Sequence, residues 1–191
     1  MAGNPAEAIN AYITELEALE SHLEKLLRAQ VADFGSDYPD LVAHLYPIHI
    51  RTQQHIQVLQ AVADSREVDR AGAAAVKRVG SVGVAGFDYV RGEKLSKELR
   101  DDYAALSVAT IGYVVLMAAA RSLGDDSVAD MAELHLRDYA EATMTIQSII
   151  PSAIVKSLQE EGLPARAEVV AMLDQDLEEI WRGEADSGDV T

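Results

Sequence analysis

Seven polar side chains occupy positions of a helical repeat that is otherwise filled by Leu, Ile, Val and Ala: Glu20, Thr52, His55, Thr110, Tyr113, His135 and Asp138. Glu20, His55, His135 and Asp138 supply two imidazoles and two carboxylates, enough to hold one iron, manganese or zinc ion, with Thr52 and Tyr113 behind them. The same groups can also satisfy one another. Asp138 would then accept from His55 or His135 and Glu20 from Tyr113 or Thr52, a buried polar network that fixes helix register without any cofactor. A third reading leaves a gap for a small ligand. No catalytic residue is assigned, because the chain has no Ser-His-Asp spacing, no phosphate-binding Gly-x-x-x-x-Gly-Lys loop and no Gly-x-Gly-x-x-Gly fingerprint. His22, His44 and His49 flank the apolar seams and read as surface or rim histidines.

Four long helices must position these groups. Asn4 before Pro5 is a helix start, and Ile9, Tyr12, Leu16, Leu19, Leu23 and Leu26 then recur at spacings of three and four until Gly35. Glu20 shares a heptad position with Ile13 and Leu27, so it borders that seam. The second seam runs Leu41, Leu45, Ile48, Thr52, His55, Leu59, Val62, with Pro47 expected to kink or restart the helix. The third runs Leu99, Tyr103, Leu106, Thr110, Tyr113, Met117, Ala120 to a stop at Gly124. The fourth runs Val128, Met131, His135, Asp138, Ala142, Thr145, Ile149 up to Pro151, with a short helical continuation beyond. The polar positions fall near the middle of each helix and predict one layer across the waist of a bundle about 35 to 40 Å long.

The connections between seams differ in length. Short links join the first helix to the second and the third to the fourth, but residues from about 65 to 98 separate the second from the third, enough chain to travel the bundle and make those two helices parallel. Within that crossover a short helix through Val76, Val79, Gly83 and Gly86 is expected. Residues 66–100 hold eight basic and five acidic residues, hence 8 − 5 = +3, in a chain whose net charge is −16. Pro164 opens a further amphipathic helix, about 164–182, that either packs on the bundle or makes a subunit contact through Trp181. The reading is one domain over 1–183 and a disordered acidic tail over 184–191.

The third helix could be taken for a membrane span, since Tyr103 to Ser122 contains one charge, Arg121. Asp101, Asp102, Asp125 and Asp126 flank it and its seam carries Thr110 and Tyr113, so it reads as a core helix. The net charge of −16 opposes nonspecific binding to nucleic acid or anionic lipid, so no nucleic acid and no membrane are expected as partners. No cysteine is present, which removes disulfides, thiolate ligands and cysteine nucleophiles. The N-terminus lacks a basic segment followed by an apolar run, so a cytoplasmic protein is expected. A homo-oligomer, most simply a dimer, is the expected assembly.

The segments "ALESHLEKLL", "SKELRDDYAALSVATIGY" and "HLRDYAEATMTIQSIIPS" resemble the ferritin-like superfamily, most nearly small bacterial stress-associated proteins of the YciE/YciF kind, over about residues 8 to 155. The resemblance implies an all-α ferritin-like four-helix bundle with one long crossover between helices 2 and 3, plus the additional C-terminal helix. It also implies a role in stress response or metal homeostasis. The superfamily's di-iron set is a Glu from each of two helices and Glu-x-x-His from the other two. Here Thr52-x-x-His55 replaces Glu-x-x-His, the third helix has no acid between Asp102 and Asp125, and His135-x-x-Asp138 reverses the ligand order. Di-iron ferroxidase or oxygen-activating chemistry is therefore not expected; a single divalent ion, or none, is.

Overall fold

Asn4 caps the first helix by accepting from the Ala6 amide, and Pro5 at the first helical position sacrifices no hydrogen bond. The computed structural model describes residues 4–66, 68 and 93–182. Among the described residues five helices follow in order: α1 Pro5–Phe34, α2 Pro39–Ser65, α3 Glu93–Leu123, α4 Asp126–Glu160 and α5 Val169–Arg182. The described residues contain no strand. Gly35, at φ 32°, ends α1, and Gly124, at φ 77°, turns the chain between α3 and α4, both in the region where a Cβ is strained.

Helix direction follows from which residues meet. Gln30 reaches Asp102 and Glu20 reaches Tyr113, so α1 and α3 run antiparallel. The short link at residues 35 to 38 makes α1 and α2 antiparallel as well, and α2 therefore lies parallel to α3. His55 on Asp138 and Arg66 on Asp125 run α2 antiparallel to α4. With α1 and α4 running one way and α2 and α3 the other, the helix directions are those expected of the chain, and the residues expected to form the crossover helix lie outside the described residues.

The core is continuous through α1 to α4 and is built mainly of Leu, Ile and Ala, with two tyrosines, Phe34 and Val128. Burying such side chains supplies about 1.5 to 3 kcal/mol for each large one, which is what holds helices of these lengths together. Pro47 does not restart α2, which runs unbroken to Ser65, and α4 passes through Pro151 to Glu160, the continuation expected beyond that proline. The last helix begins at Val169 rather than Pro164. Nor does it pack deeply: it touches α4, none of its residues is buried, and Met172, Ile180 and Trp181 are exposed.

Seam phases also shift. In α1 the buried line is Ile9, Ile13, Leu16, Glu20, Leu23, Leu27 and Gln30, so Tyr12 lies outside and Glu20 lies at the centre. In α4 the buried residues at the waist are His135 and Tyr139, while Asp138 is about a quarter exposed. One position of rotation, 100°, separates the expected and observed lines.

Candidate functional site

Glu20, His55, His135, Tyr113 and Tyr139 pack together at mid-bundle, each 5% exposed or less, and Glu20 is fully enclosed. Each of α1, α2 and α3 contributes one of these residues, and α4 contributes two one turn apart. One ligand-capable atom each of Glu20, His55 and His135 lies within 4.8 Å of the others. The His55 and His135 rings stack at 3.8 Å with planes 13° apart, and the Tyr113 and Tyr139 rings stack at 5.7 Å.

Three hydrogen bonds and one longer polar approach form a chain. Asp138 Oδ2 lies 2.9 Å from His55 Nε2, His55 Nδ1 lies 3.6 Å from Glu20 Oε1, the Tyr113 hydroxyl bonds Glu20 Oε1, and His135 Nδ1 lies 2.9 Å from that hydroxyl. A phenol has one proton. With Glu20 as a carboxylate, the Tyr113 O–H donates to Glu20 Oε1 and its oxygen accepts from His135 Nδ1–H, which leaves Nε2 of a neutral His135 as a bare lone pair. Burial, then the adjacent His55, lowers the His135 pKa to about 3, so the neutral ring is the one present near neutrality. Burial followed by the charge of Glu20 pushes both tyrosines well above the ordinary phenol range, so both remain O–H donors.

His55 donates Nε2–H to Asp138, and a neutral His55 then presents only a lone pair at Nδ1, facing the Glu20 oxygen. Two acceptors 3.6 Å apart in the core need a positive charge between or upon them. Glu20 Oε2 and His55 Nδ1 have no hydrogen-bond partner, and the Tyr139 hydroxyl faces Glu20 and Thr52 without closing a bond. The cluster thus has fewer donors than acceptors.

The predicted residues fare unequally. Glu20, His55 and His135 come together and Tyr113 bridges two of them. Asp138 joins only through His55, and it also meets Arg51 at 3.4 Å, which in turn holds Glu141 at 2.9 Å. Thr52 is buried beside the cluster, but its hydroxyl donates to the Ile48 carbonyl; Thr110 likewise donates to Leu106. A cleft of about 190 Å³ between α2 and α4, lined by Pro47, Arg51, Thr52, His55, Asp138 and Tyr139 among others, brings solvent to the Asp138 side.

Three residues were misplaced or missed. His49, read as a rim residue, is 8% exposed and its Nε2 lies 3.0 Å from Glu24. Tyr139 is four residues after His135 and seven before Ile146, a spacing that marks the core line. Asp102, read as a flanking charge, is fully buried, and Gln30 donates to its Oδ1 at 2.9 Å. Burial first, with Glu98 and Asp101 adding to it against the opposing Gln30 bond, raises the Asp102 pKa to about 7.

A di-iron pair does not fit these residues. The side chain that α3 brings to the waist is Tyr113, and no carboxylate bridges from that side. A single ion meets a better match in donor chemistry, since Asp138 on His55 and Tyr113 on His135 are the kind of outer partners that orient metal-binding imidazoles.

No family model matches the chain, and no curated protein does. Among solved structures, the chain resembles a crystal structure of a protein from Xanthomonas campestris pv. campestris, with 22% identity and a TM-score of 0.68, covering 84% of this chain and 100% of that one. That likeness supports the all-helical fold. The protein is a helical bundle with a buried polar network at its waist.

Proposed function

We propose that the protein is a ferritin-like bundle, of metal homeostasis or stress response, whose waist binds one divalent transition-metal ion through Glu20, His55 and His135 in place of a di-iron pair. The observation that carries this reading is the facing pair of acceptors, Glu20 Oε1 and His55 Nδ1, at 3.6 Å. Two ligands of one tetrahedral zinc stand about 3.4 Å apart when each bond is about 2.1 Å. The ion would supply the positive charge that Glu20 lacks and tie α1, α2 and α4 at one point. Asp138 would hold His55 in the tautomer that offers Nδ1, and Tyr113 would hold His135 in the one that offers Nε2. Oxygen activation is not part of this proposal, since the bridging carboxylates that a second ion needs are lost.

A second reading is favoured by the stacking of the two imidazoles. Near-parallel rings at 3.8 Å send their lone pairs side by side rather than toward one point. A proton on His55 would then serve, giving one N–H to Asp138 and one to Glu20. Metal analysis of the purified protein, with melting curves before and after chelation and after adding Zn(II), Mn(II) or Fe(II), separates the two. The metal reading expects about one ion per chain, lost in His135→Ala, and a lower melting temperature after chelation. No bound ion, no response to any of the three metals and no effect of chelator would refute it. Asp138→Ala would then still cost about 1 to 3 kcal/mol by removing His55's partner.

A further inference from the structure

The outward side of α3 is not explained by the bundle. From Tyr103 to Ala120 the helix carries no charge, yet Val108, Ile111, Val114 and Val115 are exposed, Ile111 by 63%. The helix is long and apolar enough to cross a membrane by length and composition, but its inner side contributes Tyr113 to the polar waist and Leu99, Leu106 and Leu116 to the core.

Its outward residues are arranged symmetrically about Ile111. Val108 and Val114 stand three positions either side, Ala104 and Ala118 seven, and Asp101 and Arg121 ten. At 100° per residue all of these lie within 80° of the Ile111 direction, so they form one face. Ser107 and Val115, four positions either side, are both small and uncharged. Two copies of such a face laid antiparallel across a two-fold axis at Ile111 bring valine onto valine and alanine onto alanine. About 15 Å from the axis, at both ends, Asp101 of each copy comes level with Arg121 of the other. Arg121 already reaches Glu133 at 2.6 Å and remains more than half exposed, so a partner aspartate would complete an acidic pair around one guanidinium.

We propose that this chain forms a two-fold symmetric dimer through the outward face of α3, with Ile111 on the axis. The charge balance selects this face, because a chain of net charge −16 repels its own copies, and this helix offers a stripe without charge whose two ends are of opposite sign. An uncharged apolar centre with a polar rim is the usual plan of such a contact.

The full chain can be tested by light scattering after size exclusion. The wild type is expected at twice the 20.6 kDa of one chain at micromolar concentration. Ile111→Lys, which sets two cations against each other on the axis at a position exposed in the monomer, is expected to halve that mass while leaving helical circular dichroism unchanged. Because the chain has no cysteine, single cysteines report geometry. Ile111→Cys is expected to form a disulfide-linked dimer on mild oxidation, whereas Ala104→Cys, about 21 Å from its own copy across the axis, is not. A monomeric wild type overturns the proposal, as does a dimer indifferent to Ile111→Lys. Equal cross-linking by both cysteines would exclude the antiparallel pairing. Loss of the dimer in Trp181→Glu but not in Ile111→Lys would move the contact to α5, and a monomer that sediments with phosphatidylcholine vesicles would assign the face to lipid.

Discussion

Asp102→Asn should stabilise the protein, and more so as pH rises. The buried Asp102 carboxyl accepts from Gln30 at Oδ1, while Oδ2 and Gln30 Oε1 have no partner. One proton on Oδ2 would turn one of these two orphaned acceptors into a donor, and an asparagine amide would do so permanently. The folded-state pKa, raised to about 7, lies above the ordinary 3.8. The native protein therefore holds this proton where the unfolded chain has lost it, so the group's contribution is complete below about pH 4 and disappears as pH rises to about 7. At about 1.36 kcal/mol per unit the full window is worth about 4 kcal/mol. Near the sequence pI of 4.5 solubility is poor, so the comparison is best made between pH 5.5 and pH 8. There the stability gap between variant and wild type should widen by about 2 kcal/mol, the portion of the window from pH 5.5 to about 7. Urea unfolding of both proteins at both pH values measures it, and other titrating groups cancel in the difference. A gap that does not change with pH, or a variant less stable than wild type at pH 8, would show that Asp102 is ionised in the folded protein and that its burial is compensated by other means.

Two further changes probe the packing around the waist. Tyr113→Phe removes the hydroxyl shared by Glu20 and His135 in a site without exposure, and should cost about 1.5 to 3 kcal/mol in thermal or urea unfolding; a change below about 0.5 kcal/mol would mean that water replaces the hydroxyl. Gly112→Ala places a Cβ 2.7 Å from Leu16 Cδ2 where α1 and α3 cross. Leu16 can swing away at a cost of about 1 to 3 kcal/mol, partly offset by about 1 kcal/mol of helix propensity, so the variant should be mildly destabilised, whereas Gly112→Leu should unfold the bundle or force α1 from α3.

Much of this architecture is written locally. Asn4-Pro5, Gly35, Gly124 and the three-and-four spacing of apolar residues are short-range signals, and they define four long helices and three of their termini without reference to any partner. The polar layer was legible for a related reason, since Glu20, His55 and His135 interrupt apolar lines at mid-length, where an unsatisfied group is costly. What a helix cannot state alone is its rotation about its own axis. An apolar line defines a face about 100° wide, and only the neighbouring helices choose its centre, which is why Glu20 moved from the border to the core and Tyr139 displaced Asp138. Pairing across distance was equally invisible. Gln30 and Asp102 are 72 residues apart, and Asp102 looked like a charge at a helix end until α1 was laid against it. The outer face of α3 shows the same limit from the other side. Its apolar composition could be read as core, but in the four-helix arrangement α1 and α4 cover only part of its circumference, and tertiary packing alone leaves Ile111 facing out.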